Sequence, residues 1–114
     1  MPVNPEFAKF VLEQLGRLVP MVRSRPMFGG ISISAPGGTF ALIDDDIVYL
    51  KGGKTGRGRF EEAGWPPFRP FGDEGSAMAY FAVPGELLDD PERLRPWVDV
   101  ALDAAARANR PKKH

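Results

Sequence analysis

Basic side chains are concentrated in one short segment, residues 51–59, with the sequence KGGKTGRGR. Its cations are Lys51, Lys54, Arg57 and Arg59, and glycines lie between them. Closely spaced lysines and arginines are suited to contact with the phosphate oxygens of a nucleic acid. The competing interpretation is a solvated loop that leads into a short helix over residues 55–63.

The same segment contains Gly53-Lys54-Thr55, which has the form of the end of a nucleotide phosphate-binding loop. That loop needs an opening glycine, which would fall at position 48, and this chain has Val48 there. The sequence therefore argues against a phosphate loop of this type.

A glycine pair, Gly29-Gly30, interrupts an apolar alternation that begins at Met27. Glycine weakens a strand and often marks a bulge or a close backbone approach. Two interpretations stay open: packing against the first helix, or a backbone surface left bare for a partner. The candidate contact residues of the chain are therefore Gly29, Gly30, Lys51, Lys54, Arg57 and Arg59.

Three consecutive aspartates, residues 44–46, invite a metal-binding interpretation because carboxylate oxygens suit magnesium and calcium. Neighbouring strand positions point to opposite faces, however, and the spacing of a calcium loop is missing. Aspartate is also a strong turn former, so we expect a turn here.

No group of residues has the pattern of a catalytic centre. The only histidine is His114, the last residue, and the chain has no cysteine. The carboxylate pairs Glu61-Glu62 and Asp89-Asp90 are adjacent and do not provide a separated acid and base. We expect no enzyme activity, no cofactor and no metal.

Length and composition predict one globular domain over residues 1–108 with a flexible tail at 109–114. Fifteen basic and fifteen acidic residues balance among 114 positions, so no global field attracts nucleic acid or an anionic membrane. The N-terminus lacks a basic leader pattern, and the apolar runs are too short for a membrane span. The prediction is a cytoplasmic protein.

Local patterns predict an N-terminal helix, an antiparallel sheet and a C-terminal helix. The first helix starts at Asn4-Pro5 and ends at Pro20. Residues 27–51 form a three-stranded antiparallel meander, residues 69–71 a short edge strand, and residues 76–83 a central strand. The last helix begins at Asp89 or Asp90, with a kink or break near Arg95 because Pro96 follows.

Several short motifs, in order and with compatible gaps from about residue 25 to residue 105, resemble the TfoX N-terminal domain family. The most specific are Met27-Phe28-Gly29-Gly30 and the strand end Tyr49-Leu50-Lys51. The other matching pieces are residues 40–43, Phe60 with Gly64, Pro67-Phe68, residues 78–84, and Leu94 with Trp97 and Ala101-Leu102.

The resemblance implies an α+β domain of two layers, with an antiparallel sheet of about five strands flanked by N- and C-terminal helices, similar to secretion chaperones. It also implies kinship with bacterial competence regulators, which act with a cyclic-AMP receptor protein at promoters. Those regulators carry a second, helical domain, which we do not expect in this chain.

Two functions of different class follow. The first is a non-enzymatic regulatory module that binds a protein partner, such as transcription machinery or a cyclic-AMP receptor-like regulator. Trp65, Phe68 and Phe71 lie in a connector whose exposure would favour a homodimer. The alternative is nucleic-acid binding through residues 51–59, joined by Arg23 and Arg25. A small-ligand site between helix and sheet is a third hypothesis.

Overall fold

The computed structural model describes residues 4–27, 30–68 and 78–108. Gly29, Phe71, the predicted edge strand at 69–71 and the tail at 109–114 lie outside the described residues. Within these ranges ten elements follow one another: α1 (Pro5–Leu18), β1 (Arg23–Met27), β2 (Gly30–Ala35), β3 (Gly38–Asp44), β4 (Ile47–Lys51), α2 (Gly53–Glu62), β5 (Pro67–Phe68), β6 (Met78–Ala82), α3 (Gly85–Leu88) and α4 (Pro91–Ala108).

Six strands form one antiparallel sheet in the order β1-β2-β3-β4-β6-β5. The predicted α+β class and antiparallel sheet are confirmed, with one strand more than the expected five. The additional strand is β1, most of which precedes residue 27, where the predicted meander begins. Met27 pairs with Gly30, so the predicted first strand of the meander is divided between two strands at the glycine pair.

The core lies on one face of the sheet. The register aligns Ile33, Ala41, Leu50 and Phe81 across β2, β3, β4 and β6, and all four are buried. Buried residues of all four helices join the same cluster, so the helices cover this face. Side chains one position along each strand, such as Lys51, point to the opposite side, called here the second face.

Local hydrogen bonds explain where several elements begin. The side-chain oxygen of Asn4 accepts bonds from the amides of Glu6 and Phe7, which confirms the predicted cap of α1. Asp90 caps α4 in the same way, at 3.3 Å from the Arg93 amide. These side chains satisfy amides that the first helical turn leaves without partners.

The aspartate segment forms a two-residue turn between β3 and β4, as predicted. Asp45 and Asp46 have φ of 51° and 57°, the left-handed conformation that a tight hairpin of this kind needs. The side chain of Asp46 also accepts a hydrogen bond from the Asn4 amide at 2.8 Å. These aspartates therefore connect the meander to the start of α1.

Two sequence expectations about aromatic and proline residues are corrected. Trp65 and Phe68 are 6% and 8% exposed, so neither supplies the exposed apolar surface expected of a dimer contact. α4 is continuous through Pro96, which excludes the break expected near Arg95 as one alternative and leaves the kink as a prediction. Pro96 lies in the second turn, where its missing amide leaves only the Glu92 carbonyl without its helical partner.

Candidate functional site

The basic segment is a strand end followed by a helix, and not a loop. Lys51 is the last residue of β4, and α2 begins two positions later at Gly53. Lys54, Arg57 and Arg59 are therefore exposed residues of a helix. The chain turns sharply at this junction, with Gly53 at φ 62°.

Two glycines of α2, Gly53 and Gly56, allow this helix to approach α4 closely. A Cβ at Gly53 would lie 3.2 Å from that of Ala104, and one at Gly56 would lie 2.5 Å from Cγ1 of Val100. Gly52, just before the helix, is similarly close to the ring of Phe81. These glycines are thus explained by packing of α2 onto α4 and the sheet.

The geometry of α2 separates its cations. At about 100° per residue, Lys54 and Arg57 lie about 60° apart, whereas Arg59 lies about 140° to 160° from both. Arg57 also forms an exposed ion pair with Glu61 at 3.1 Å. The structure therefore brings Lys54 and Arg57 together and places Arg59 on another side of the helix.

Arg59 borders a groove between α2 and α4. This α2–α4 groove has a volume of about 450 Å³ and is lined by Arg59, Glu62, Ala63, Pro96, Trp97 and Val100. Its centre is apolar, and its rim carries one basic and one acidic side chain. Such a mixture of tryptophan and arginine is typical of the energetic centre of protein interfaces.

An aromatic cluster supports the floor of this groove. The ring of Trp97 lies 4.5 Å from that of Trp65 and 5.4 Å from that of Phe60. Phe60 in turn stacks on Phe81 at 5.3 Å. Trp97 is half-buried, while Trp65, Phe60 and Phe81 are buried, so the exposed part of Trp97 rests on a packed base.

Lys51 belongs to a different surface, a concavity on the second face of about 560 Å³. Arg23 and Arg25 of β1 line it together with Lys51, as do the hydroxyls of Ser32, Ser34 and Thr39. Among the described residues that line this concavity, none is acidic. The three cations form no ion pair within the described part of the chain.

Two tyrosines extend the second face beyond the concavity. Lys51 Nζ lies 5.9 Å from the ring centre of Tyr80, and burial raises the pKa of Tyr80. Burial, followed by the carboxylates of Asp44 and Asp45, raises the pKa of Tyr49. Both hydroxyls therefore stay protonated at neutral pH.

Gly30 is buried within the sheet, not on an accessible surface. A Cβ at this position would collide with the backbone carbonyl oxygen of Ile43 on β3. Contact between neighbouring strands therefore accounts for this glycine, in place of either the first helix or an external partner.

Within residues 4–27, 30–68 and 78–108, no three histidine, cysteine or acidic residues cluster as metal ligands would. In the same ranges no helix is long and apolar enough to cross a bilayer. Two concave surfaces formed by described residues are the α2–α4 groove and the concavity of the second face.

Sequence reasoning missed several residues of both surfaces. The predicted contact residues do not include Trp97, whose ring lines the groove, or Ser32 and Ser34, which line the concavity. The alternation of isoleucine and serine over residues 31–34 is a signal that both serines face away from the core, but no local signal indicates that β1 lies beside them.

The sheet and the helices that cover one of its faces define a two-layer α+β domain. The TfoX N-terminal domain family matches residues 13–105 of the 114, and the chain belongs to this family. A search of curated proteins finds no significant match.

Proposed function

We propose that this domain is a non-enzymatic regulatory module that binds a partner protein through the α2–α4 groove. The observation that carries this proposal is the half-exposed Trp97, held on buried aromatic rings beside Arg59. A rigid aromatic surface needs little ordering when a partner binds, so more of the contact energy appears as affinity.

Family membership supports a regulatory relationship in general, and the finer role is part of the proposal. We infer a bacterial, cytoplasmic domain that acts in transcription regulation related to competence. Its partner would be a cyclic-AMP receptor-like regulator or another component of the transcription machinery. The partner would place an apolar side chain against Trp97 and an acidic group near Arg59.

Affinity capture from the source cell tests this proposal with two matched variants. Arg59→Glu changes the rim of the groove, whereas Lys54→Glu makes the same charge change on another side of α2. We expect the wild-type domain and Lys54→Glu to recover the same transcription-regulatory protein after nuclease treatment, and Arg59→Glu to recover much less.

Three results would contradict this. Equal recovery of the partner by both variants would show that the partner does not bind at the groove. Recovery that disappears after nuclease treatment would show that a nucleic acid bridges the two proteins. Recovery of a second copy of this chain alone would support a homodimer in place of a heterologous partner.

Nucleic-acid binding is a second candidate function, favoured by the position of Lys54 and Arg57 on one exposed side of α2. The basic surface available to a nucleic acid is small, because Arg57 pairs with Glu61 and because Lys51 and Arg59 lie on other surfaces. A labelled duplex at low salt tests it, since phosphate contacts weaken steeply as salt increases. Binding that is lost in Lys54→Ala/Arg57→Ala would support this function, and the absence of a shift would reject it.

A further inference from the structure

The concavity of the second face carries its own chemistry, separate from the α2–α4 groove. The register pairs Arg23 with Ser34 and Ser34 with Thr39, so these three side chains form a row across β1, β2 and β3. Lys51, at the end of β4, lines the same concavity. Three strand intervals of about 4.8 Å separate the backbones of β1 and β4 by about 14 Å, and the hydroxyls of Ser34 and Thr39 lie on the two strands between them.

We propose that this concavity binds a small phosphorylated ligand of about the size of a mononucleotide. The volume of about 560 Å³ lies within the usual range for small-molecule sites, about 300–1,000 Å³. The three positive charges of Arg23, Arg25 and Lys51 are opposite in sign to a phosphate dianion and exceed its two negative charges by one. Arginine adds paired, planar donors that suit phosphate oxygens.

The hydroxyls distinguish this site from a diffuse basic patch. Ser34 and Thr39 are half-buried and lie on neighbouring strands, where the sheet fixes their positions. They supply uncharged donors in the floor, while the longer cationic side chains approach from the two ends. A phosphate has enough oxygens to accept bonds from both kinds of donor at once, whereas a single carboxylate has two.

The sheet also positions an aromatic ring beside Lys51. Tyr80 pairs in register with Lys51, and the Lys51 ammonium lies over its ring. This contact holds Lys51 at the edge of the concavity without a carboxylate that would compete with the ligand.

Isothermal titration calorimetry of the full chain tests the proposal with inorganic phosphate, adenosine 5′-monophosphate and adenosine. We expect the two phosphate compounds to bind at micromolar to millimolar concentration and adenosine not to bind. In Arg23→Ala/Lys51→Ala the affinity for the monophosphate should fall about tenfold or more, because two charge-assisted contacts are lost. Lys54→Ala/Arg57→Ala removes the same charge from α2 and should bind as the wild type does.

A second variant tests geometry without changing charge. Ser34→Ala/Thr39→Val keeps every cation and should still lower the affinity for adenosine 5′-monophosphate by about threefold to tenfold. No binding by the wild-type chain, equal binding of adenosine, or equal weakening by both double charge variants would overturn the proposal. So would an oligonucleotide that binds where the monophosphate does not, because the surface would then be a nucleic-acid face. None of these results depends on the α2–α4 groove or its partner.

Discussion

Replacement of Gly56 by alanine tests the close approach of α2 and α4 on which the groove depends. Two effects oppose each other at this site. Alanine gains about 0.8–1.0 kcal/mol over glycine inside a helix. Its methyl group, however, would lie 2.5 Å from Cγ1 of Val100, well inside contact distance.

Val100 has little freedom to move away. It is β-branched and lies inside α4, where one χ1 rotamer dominates. Overpacking of a well-filled interior costs about 1–3 kcal/mol. We therefore expect Gly56→Ala to lower the free energy of unfolding by about 0–2 kcal/mol, the overpacking cost less the helical gain.

Gly58 provides the matched control on the same helix. A Cβ there meets no heavy atom within 4 Å, so Gly58→Ala should stabilise the domain by about 1 kcal/mol. The two alanine variants should thus differ by about 1–3 kcal/mol in urea unfolding, or by about 4–12 °C in Tm. In a Val100→Ala background the difference should disappear, because the colliding methyl group is absent.

If Gly56→Ala stabilises the domain as much as Gly58→Ala does, α4 does not press on this part of α2. The α2–α4 groove would then have a different shape from the one described, and the placement of Arg59 beside Trp97 would lose its basis.

Three further substitutions test other parts of the structure. Asn4→Ala should lower the free energy of unfolding in urea by about 0.5–2 kcal/mol because α1 loses its cap. Asn4→Asp should retain most of the stability that the cap contributes, and equal losses in the two variants would exclude the cap. Gly30→Ala should destabilise by about 1–3 kcal/mol or more through collision with Ile43, and an unchanged urea midpoint would contradict the strand contact. Tyr49→Phe should flatten the alkaline stability profile. Because the pKa of Tyr49 is raised in the folded state, this residue stabilises the fold below pH about 10, and the contribution is lost as the pH rises through the pKa of the folded state. If the tyrosinate absorbance that Tyr49→Phe removes appears at the pH of an unperturbed tyrosine, the prediction is wrong.

Elements with strong local chemistry were predictable from the sequence. The Asn4-Pro5 start of α1, the aspartate turn and the Asp90 cap each depend on interactions within a few residues. The antiparallel arrangement of β2, β3 and β4 follows from short apolar runs separated by turns. These features need no knowledge of distant contacts.

β1 and the first turn of α2 were not predictable in the same way. β1 has four exposed residues and no apolar alternation, so only its pairing with β2 identifies it as a strand. α2 begins among glycines, which disfavour a helix, and packing against Val100 and Ala104 stabilises it there. Both depend on contacts far apart in the sequence.

The candidate site was only partly predictable for the same reason. Lys51 and Arg59 are close in sequence, yet a change from strand to helix between them directs their side chains to different surfaces. Arg23 joins Lys51 only because β1 and β4 belong to one sheet.

The most direct test of the proposed function is a fluorescence titration with a purified cyclic-AMP receptor-like regulator from the source cell. The chain has two tryptophans: Trp97 lines the groove, and the buried Trp65 packs against its ring at 4.5 Å, so a partner bound at Trp97 changes the emission. We predict saturable binding that weakens about tenfold or more in Arg59→Glu and stays unchanged in Lys54→Glu. An emission spectrum that does not respond, or equal affinities of the two variants, would contradict a regulatory interaction through this groove.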